Sequence, residues 1–255
     1  MTITTGVGSE TLTHTGTTSS SKDVTVSNKY IDAITLTDAI DGSGGLASNY
    51  QIPDLNFANA PVDLSSKLVG INARKIYDGS LDLTGKVSIE TGIEGEELSY
   101  SNALASDMGV ADTEKYIQNI QLENSPSDEF VLSSNYHLPT LNHINAPLVI
   151  LPALLTITAD DETKNYGLLP DLDPTSFESD GLIGNETVEE VLLFSDGAIK
   201  TANLGTYPIV PSFASGGTST LSNYDIVYVN GTLTVEPSLF EESTALAGLD
   251  SVSYT

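Results

Sequence analysis

Carboxylates offer the most chemistry in this chain. Asp160, Asp161, Asp171 and Asp173 fall close together in sequence. A hard cation such as Ca2+ gathers carboxylate and carbonyl oxygens, so such a run is a candidate calcium loop. Its spacing is not that of an EF-hand, and a solvated acidic face is the default reading. No residue is therefore assigned as a metal ligand, and Ca2+ stays an open option with no other cofactor expected. Pairs of carboxylates that could serve as general acid and base say little where 35 of 255 residues are acidic. The only histidines are His14, His137 and His143. There is no Gly-x-Ser-x-Gly elbow and no His-Glu-x-x-His pair. The Gly-Ser-Gly-Gly run at 42–45 is followed by no helical pattern, so it reads as a loop and not as a phosphate cradle. Cysteine is absent, which removes disulfides, thiolate metal sites and thiol nucleophiles. The expectation is a protein that is not an enzyme, with no catalytic, cofactor-binding or metal residues.

Two aromatic motifs remain as candidate binding sites. Lys75-Ile76-Tyr77-Asp78-Gly79 is either a ligand site or a strand that ends in a turn, with Asp-Gly supplying the φ > 0 bend. Asn49-Tyr50, Asn135-Tyr136 and Asn223-Tyr224 are either an aromatic platform for sugars or core tyrosines beside turn-capping asparagines.

What positions these residues is a repeat. Lys29-Tyr30-Ile31-Asp32-Ala33-Ile34-Thr35-Leu36 resembles the segment from Lys115 to Leu122, at an offset of 86 residues. The same offset aligns Asn49-Tyr50-Gln51-Ile52-Pro53 with Asn135-Tyr136-His137-Leu138-Pro139, and Asn59-Ala60-Pro61 with Asn145-Ala146-Pro147. His137 and His143 then face Gln51 and Phe57, which marks them as tolerant positions. Asn223-Tyr224 lies 88 residues after Asn135-Tyr136, and Lys164-Asn165-Tyr166-Gly167 answers Lys75-Ile76-Tyr77-Asp78-Gly79 at a slightly larger offset. The spacing predicts a truncated unit at 1–64, a unit at 65–151, a third at 152–237 and a polar tail or linker at 238–255. The first unit has no counterpart of Lys75 to Gly79, so the chain is expected to be a piece of a longer array.

Alternation predicts strands at Leu154 to Thr158, Ile34 to Thr37 and Ile120 to Glu123. Asn230-Gly231 between two alternating runs predicts a hairpin. Tyr207 to Pro211, bracketed by prolines, predicts an edge strand. Asn185 to Leu193 carries the only helical spacing. Asn59-Ala60-Pro61 and Asn145-Ala146-Pro147 read as stiff linkers between units.

The net charge of −26, from 9 basic and 35 acidic residues, repels phosphate backbones and argues against nucleic acid as a partner. No apolar run is long enough to span a bilayer as a helix, so no membrane insertion is expected. Residues 1–20 lack the basic and apolar regions of a signal peptide.

Lys75-Ile76-Tyr77-Asp78-Gly79 together with Ser134-Asn135-Tyr136 resembles the YDG module of bacterial surface proteins, with Ser48-Asn49-Tyr50 as the same end of the first copy. Leu155-Thr156-Ile157-Thr158-Ala159-Asp160-Asp161, Lys164-Asn165-Tyr166-Gly167, Gly205-Thr206-Tyr207 and Asn223 through Val235 resemble an MBG module. Leu168-Leu169-Pro170 departs from its common pattern. Such modules occur in tandem in large secreted adhesins similar to filamentous haemagglutinin, many exported by two-partner secretion. The resemblance implies an all-β, β-grasp-like or sandwich-like array of small elongated modules at an extracellular or bacterial cell-surface location. It implies a stalk or adhesion segment, a host or matrix surface as partner, and an outer-membrane export partner for the parent protein. The alternative is a lectin-like carbohydrate-binding module that contacts glycans of host or biofilm matrix.

Overall fold

A computed structural model describes Ile3, residues 5–111 and residues 113–238. Apart from Ser238, the tail expected at 238–255 lies outside the described residues. The chain forms an all-β fold. Among the described residues there are sixteen strands, and the helical elements are four 3-10 turns of three residues each. The threonine-rich composition suits a pleated, half-buried surface. The strands are β1 (Thr13–Ser19), β2 (Ile31–Thr37), β3 (Lys67–Leu68), β4 (Gly70–Ile76), β5 (Val87–Glu90), β6 (Ser99–Ala105), β7 (Ile117–Glu123) and β8 (Tyr136–His137). They continue with β9 (Leu148–Leu151), β10 (Ala153–Ala159), β11 (Glu162–Asn165), β12 (Phe177–Asp180), β13 (Glu190–Phe194), β14 (Gly205–Ser215), β15 (Tyr224–Val229) and β16 (Gly231–Glu236).

The chain divides into two compact units, each drawn from three segments. The first comprises the described residues within 1–73, 87–104 and 117–147; the second comprises those within 74–86, 105–116 and 148–255. In the first, β1 pairs antiparallel with β2, β3 runs parallel to β8, and β4 pairs antiparallel with β5 from Gly70–Glu90 to Ala73–Val87. β4 alternates strictly, with Ile71 and Ala73 buried as the period of two requires, and Val69 just before it is buried in the same phase. Ile117, Val131 and Ala146 are also buried in this unit.

In the second unit, β10 is the spine of a sheet ordered β12-β10-β15. It is antiparallel to β12 and parallel to β15. A second sheet runs β11-β16-β14-β13. Ala159 of the first sheet shares a buried cluster with Ile209 and Leu233 of the second, closed over by Leu172, Leu193 and Tyr207. This is sandwich-like packing; among the described residues no helix crosses a sheet as a β-grasp arrangement would need.

Four local expectations are overturned. Asn230-Gly231 does not turn a hairpin. β15 joins β10 while β16 joins β14 and β11, so the pair carries the chain from one sheet to the other. Gly231 is required by space, because a Cβ there would lie 2.5 Å from the carbonyl oxygens of Ala159 and Asp160. The helical spacing at Asn185 to Leu193 yields no helix: the segment opens on a turn and runs into β13 at Glu190. Thr187 and Thr218 exchange amide-to-hydroxyl bonds of 3.0 and 3.1 Å, and the Glu189 amide donates to Ser215, so cross-strand partners take the backbone groups a helix would use. β14 is not the outer strand of its sheet, since it stands between β16 and β13. Its first half, Gly205–Ile209, pairs with β16, and its second, Val210–Ser215, pairs with β13. Each half has a partner on one side only, which is how Pro208 and Pro211 fit without amide hydrogens. The Asn-Ala-Pro runs are not linkers. Ala60 and Ala146 carbonyls accept from Ile31 and Ile117, both at 2.9 Å, and Ala146 is wholly buried.

Candidate functional site

The most specific cluster of side chains is built at the end of β4, within the second unit. The Tyr77 amide donates to the Leu151 carbonyl at 2.8 Å, which extends the strand one residue past Ile76. The next two residues make the expected turn: Gly79 has φ +68, and Asp78 Oδ1 accepts from the Ser80 amide at 3.0 Å. The bend turns the Tyr77 ring inward, to 5% exposure. Its hydroxyl donates to Glu186 Oε1 at 2.5 Å, while the Tyr224 hydroxyl donates to Glu186 Oε2 at 2.6 Å. The two rings meet edge to face, with centroids 5.6 Å apart and planes at 79°, the geometry favoured by their quadrupoles. Gly79 closes the contact, since a Cβ there would sit 3.1 Å from Ile183 Cγ2. The Ile183 amide in turn donates to the Tyr224 hydroxyl at 2.9 Å. Burial, then the hydrogen bond to Glu186, pushes both phenols up, Tyr224 to about 12. One carboxylate thus clamps two neutral phenols, each bond charge-assisted. The arrangement holds a tyrosine in place; it presents no nucleophile.

Among the described residues two further glutamates each hold one tyrosine. Tyr50 donates to Glu10 at 2.5 Å, and Tyr136 donates to Glu96. Each glutamate closes a four-residue turn by donating its amide to the residue three before it: Glu10 to Val7 at 3.1 Å, Glu96 to Ile93 at 3.2 Å and Glu186 to Ile183 at 3.1 Å. Thr5 and Thr91 brace the first two turns identically, each hydroxyl donating to the glutamate carbonyl at 2.9 and 3.0 Å. The asparagine before the tyrosine has a fixed task as well. Asn135 Oδ1 accepts from the Val24 amide and Asn223 Oδ1 from the Val110 amide, both at 2.8 Å. Burial and Glu96 push the Tyr136 phenol up to about 12. These glutamates and turns are functional features that motif and spacing alone do not single out. The first two were visible at the 86-residue offset; the third was hidden by the longer spacing and by Gly181 standing where Thr5 and Thr91 stand.

Four buried lysines recur in the same way. Lys29, Lys75, Lys115 and Lys164 are each at most 6% exposed. Lys75 donates to the carbonyls of Ser80 (2.8 Å) and Asp82 (3.1 Å) and pairs with Asp78 at 2.6 Å. Lys164 donates to the carbonyls of Leu168 and Ile199. Lys29 and Lys115 fasten the loops at Val24 and Val110. In a chain with 9 basic residues, these ammonium groups pin loops by satisfying carbonyls that strand pairing leaves over.

The other candidates do not converge. Tyr136 and Tyr224 are buried and Tyr50 is half-buried, so the Asn-Tyr pairs serve packing. Asp161 Oδ1 accepts from the Thr232 amide at 2.6 Å. Asp173 accepts from the amide and hydroxyl of Thr175, which lower its pKa. Asp160 and Asp171 are exposed. Among the described residues no group of three histidines or carboxylates is placed to hold a metal ion. His14 contacts Thr17 and His137 contacts Ser66, while His143 is exposed. In the 42–45 loop Gly42 and Gly44 take positive φ, and Gly45 passes too close to the Thr11 carbonyl to carry a Cβ.

The sandwich, its Tyr166-Gly167 turn after β11 and its closing β15 and β16 have a counterpart among known families. Residues 155–234 match the MBG domain, YGX type. The MBG segment therefore runs from Leu155 within β10 to Thr234 within β16, and includes Glu186 and Tyr224 of the clamp. No curated protein and no solved structure matches the chain. Among the described residues no helix is long and apolar enough to cross a membrane.

Proposed function

We propose that the chain is a run of non-catalytic repeat modules from a secreted bacterial adhesin, working as a stalk or surface-adhesion segment outside the cell. The observation that carries this reading is the Tyr77 clamp. A tyrosine at the strand end of one sequence repeat is buried against Glu186 and Tyr224 of the next. A joint of that kind resists bending and twisting because moving it breaks a desolvated, charge-assisted hydrogen bond. The match of residues 155–234 to the MBG domain supports a modular surface protein. The resemblance of 65–151 to a YDG module, the filamentous-haemagglutinin-like parent, its export partner and a host or matrix surface as target belong to the same proposal. The net charge of −26 keeps such an array soluble in salty media.

The lectin-like alternative is disfavoured by the inward-facing tyrosines of the Asn-Tyr pairs. The test is a glycan-array screen of residues 1–255, run in calcium and again in chelator. No binding in either condition is expected. Reproducible binding to one sugar class would overturn the spacer reading, and calcium dependence would turn attention to Asp160, Asp161, Asp171 and Asp173.

A further inference from the structure

The first unit contains a second copy of the tyrosine seat, and there it is a cavity. Its volume is about 190 Å³, and Val24, Ser65, Ile93, Glu96, Asn135 and Tyr136 line it. Each has a counterpart around Tyr77 in the second unit. Ile93 and Glu96 answer Ile183 and Glu186, whose turns are closed by the same amide-to-carbonyl bond. Asn135 and Tyr136 answer Asn223 and Tyr224, and Val24 answers Val110, with the same 2.8 Å bond from amide to asparagine. Ser65 answers Leu151, whose carbonyl receives the Tyr77 amide. The volume exceeds the roughly 150 Å³ known to admit a benzene ring.

Two details distinguish the cavity from the filled seat. Glu186 accepts a phenol on each oxygen, whereas Glu96 accepts Tyr136 on Oε2 and has no hydrogen bond on Oε1 among the described residues. Ile183, with Gly79 against it, is half-buried, whereas Ile93 is 43% exposed.

A groove in the same unit asks for the strand that carries such a tyrosine. It holds about 460 Å³ and is lined by Leu12, Ile34, Leu36, Ile52 and Leu55. In the second repeat, the carbonyls of His137 and Pro147 receive the amides of Val69 and Ala73, at 3.1 and 2.9 Å. Their counterparts by the 86-residue offset, Gln51 and Pro61, are on the groove wall, and their carbonyls accept no hydrogen bond among the described residues.

We propose that the cavity beside Glu96 is a receptor for the tyrosine of a Tyr-Asp-Gly strand end supplied by a neighbouring repeat, whose preceding residues add as a β-strand along the Gln51–Pro61 groove. The occupant is an extended segment of the Lys67-to-Gly79 type: apolar residues at alternate positions, then tyrosine, aspartate and glycine. Its amides reach the Gln51 and Pro61 carbonyls, and its phenol donates to Glu96 Oε1. This is strand addition with one aromatic anchor. It rests on the tandem-repeat reading above and gives that reading a rule of assembly: a sequence repeat of this type offers one strand end and receives one.

The test uses the full chain and a synthetic peptide with the sequence of residues 67–79, measured by calorimetry. Saturable one-to-one binding is expected. A Tyr77→Ala peptide should bind at least about tenfold more weakly, and so should the wild-type peptide to an Ile93→Asp chain whose melting temperature is unchanged. A second measurement exploits the absence of cysteine. A Gly79→Cys peptide should form a disulfide with an Ile93→Cys chain and not with an Ile144→Cys chain, whose residue is exposed elsewhere. No binding, equal binding of the Tyr77→Ala peptide, or binding indifferent to Ile93→Asp would each overturn the proposal. Glycan binding would overturn the stalk reading and leave these peptide results as they stand, so the two failures are separable.

Discussion

The Tyr77 clamp makes a quantitative demand. Tyr77→Phe keeps the ring, its burial and its edge contact with Tyr224, and removes only the hydroxyl. The lost bond is 2.5 Å long and ends on a carboxylate, and a hydrogen bond to a charged group is worth about 1.5–3 kcal/mol. Tyr77→Ala removes the ring as well. At 5% exposure its loss resembles an aromatic truncation in a core, about 3–5 kcal/mol. Glu186→Gln weakens both phenol bonds but leaves an amide oxygen to accept one of them. In that background, Tyr77→Phe should cost only about 0.5–1.5 kcal/mol, the value of a neutral bond. The cycle built from Tyr77→Phe and Glu186→Gln should therefore show a coupling of roughly 1–2 kcal/mol. Urea denaturation followed by circular dichroism measures it, with the slope checked for constancy across the four proteins. Additivity within about 0.5 kcal/mol would refute the clamp as an energetic unit. So would a Tyr77→Ala variant that loses no more than a surface change does, about 0.5 kcal/mol.

Other outcomes are equally open to measurement. Tyr136 and Tyr224 are held near 12 against an ordinary 10, so the fold binds their protons more tightly than the unfolded chain does. Their contribution is complete below pH 10 and is lost as pH rises towards 12, by about 1–3 kcal/mol each. Tyrosinate absorbance should show a late-titrating fraction that shrinks in Tyr136→Phe; an unchanged profile would contradict the burial. Lys164→Met should destabilise by about 1–3 kcal/mol in thermal melts, because it leaves the Leu168 carbonyl without its donor and the Ile199 carbonyl with the Ala202 amide alone; a neutral result would show that water replaces the ammonium. Gly231→Ala should cost about 1–3 kcal/mol through overlap with the Ala159 and Asp160 carbonyls. Gly70→Ala, whose Cβ would meet nothing closer than 3.5 Å, should stay within about 1 kcal/mol. Equal losses at the two glycines would sink the spatial argument.

Much of the molecule was written in its residues. The strands at Leu154 to Thr158 and Ile120 to Glu123 follow from alternation, because a pleated strand with one buried face imposes a period of two. The turn at Asp78-Gly79 follows from the φ > 0 that glycine alone takes freely. The lack of cysteine and the excess of acid are plain in the composition, and the 86-residue offset reveals the recurrence. Partnership was not legible, because it depends on where remote segments meet. Asn230-Gly231 has the local chemistry of a hairpin, yet the sheet that each flanking strand joins is chosen by β10 and β14, far away in sequence. Asn185 to Leu193 has helical spacing, yet Thr218 and Ser215 claim its backbone groups. Tyr77 and Glu186 stand 109 residues apart, and no periodicity links them. Only folding brings the phenol to the carboxylate. Burial of the pair together is what makes that bond strong.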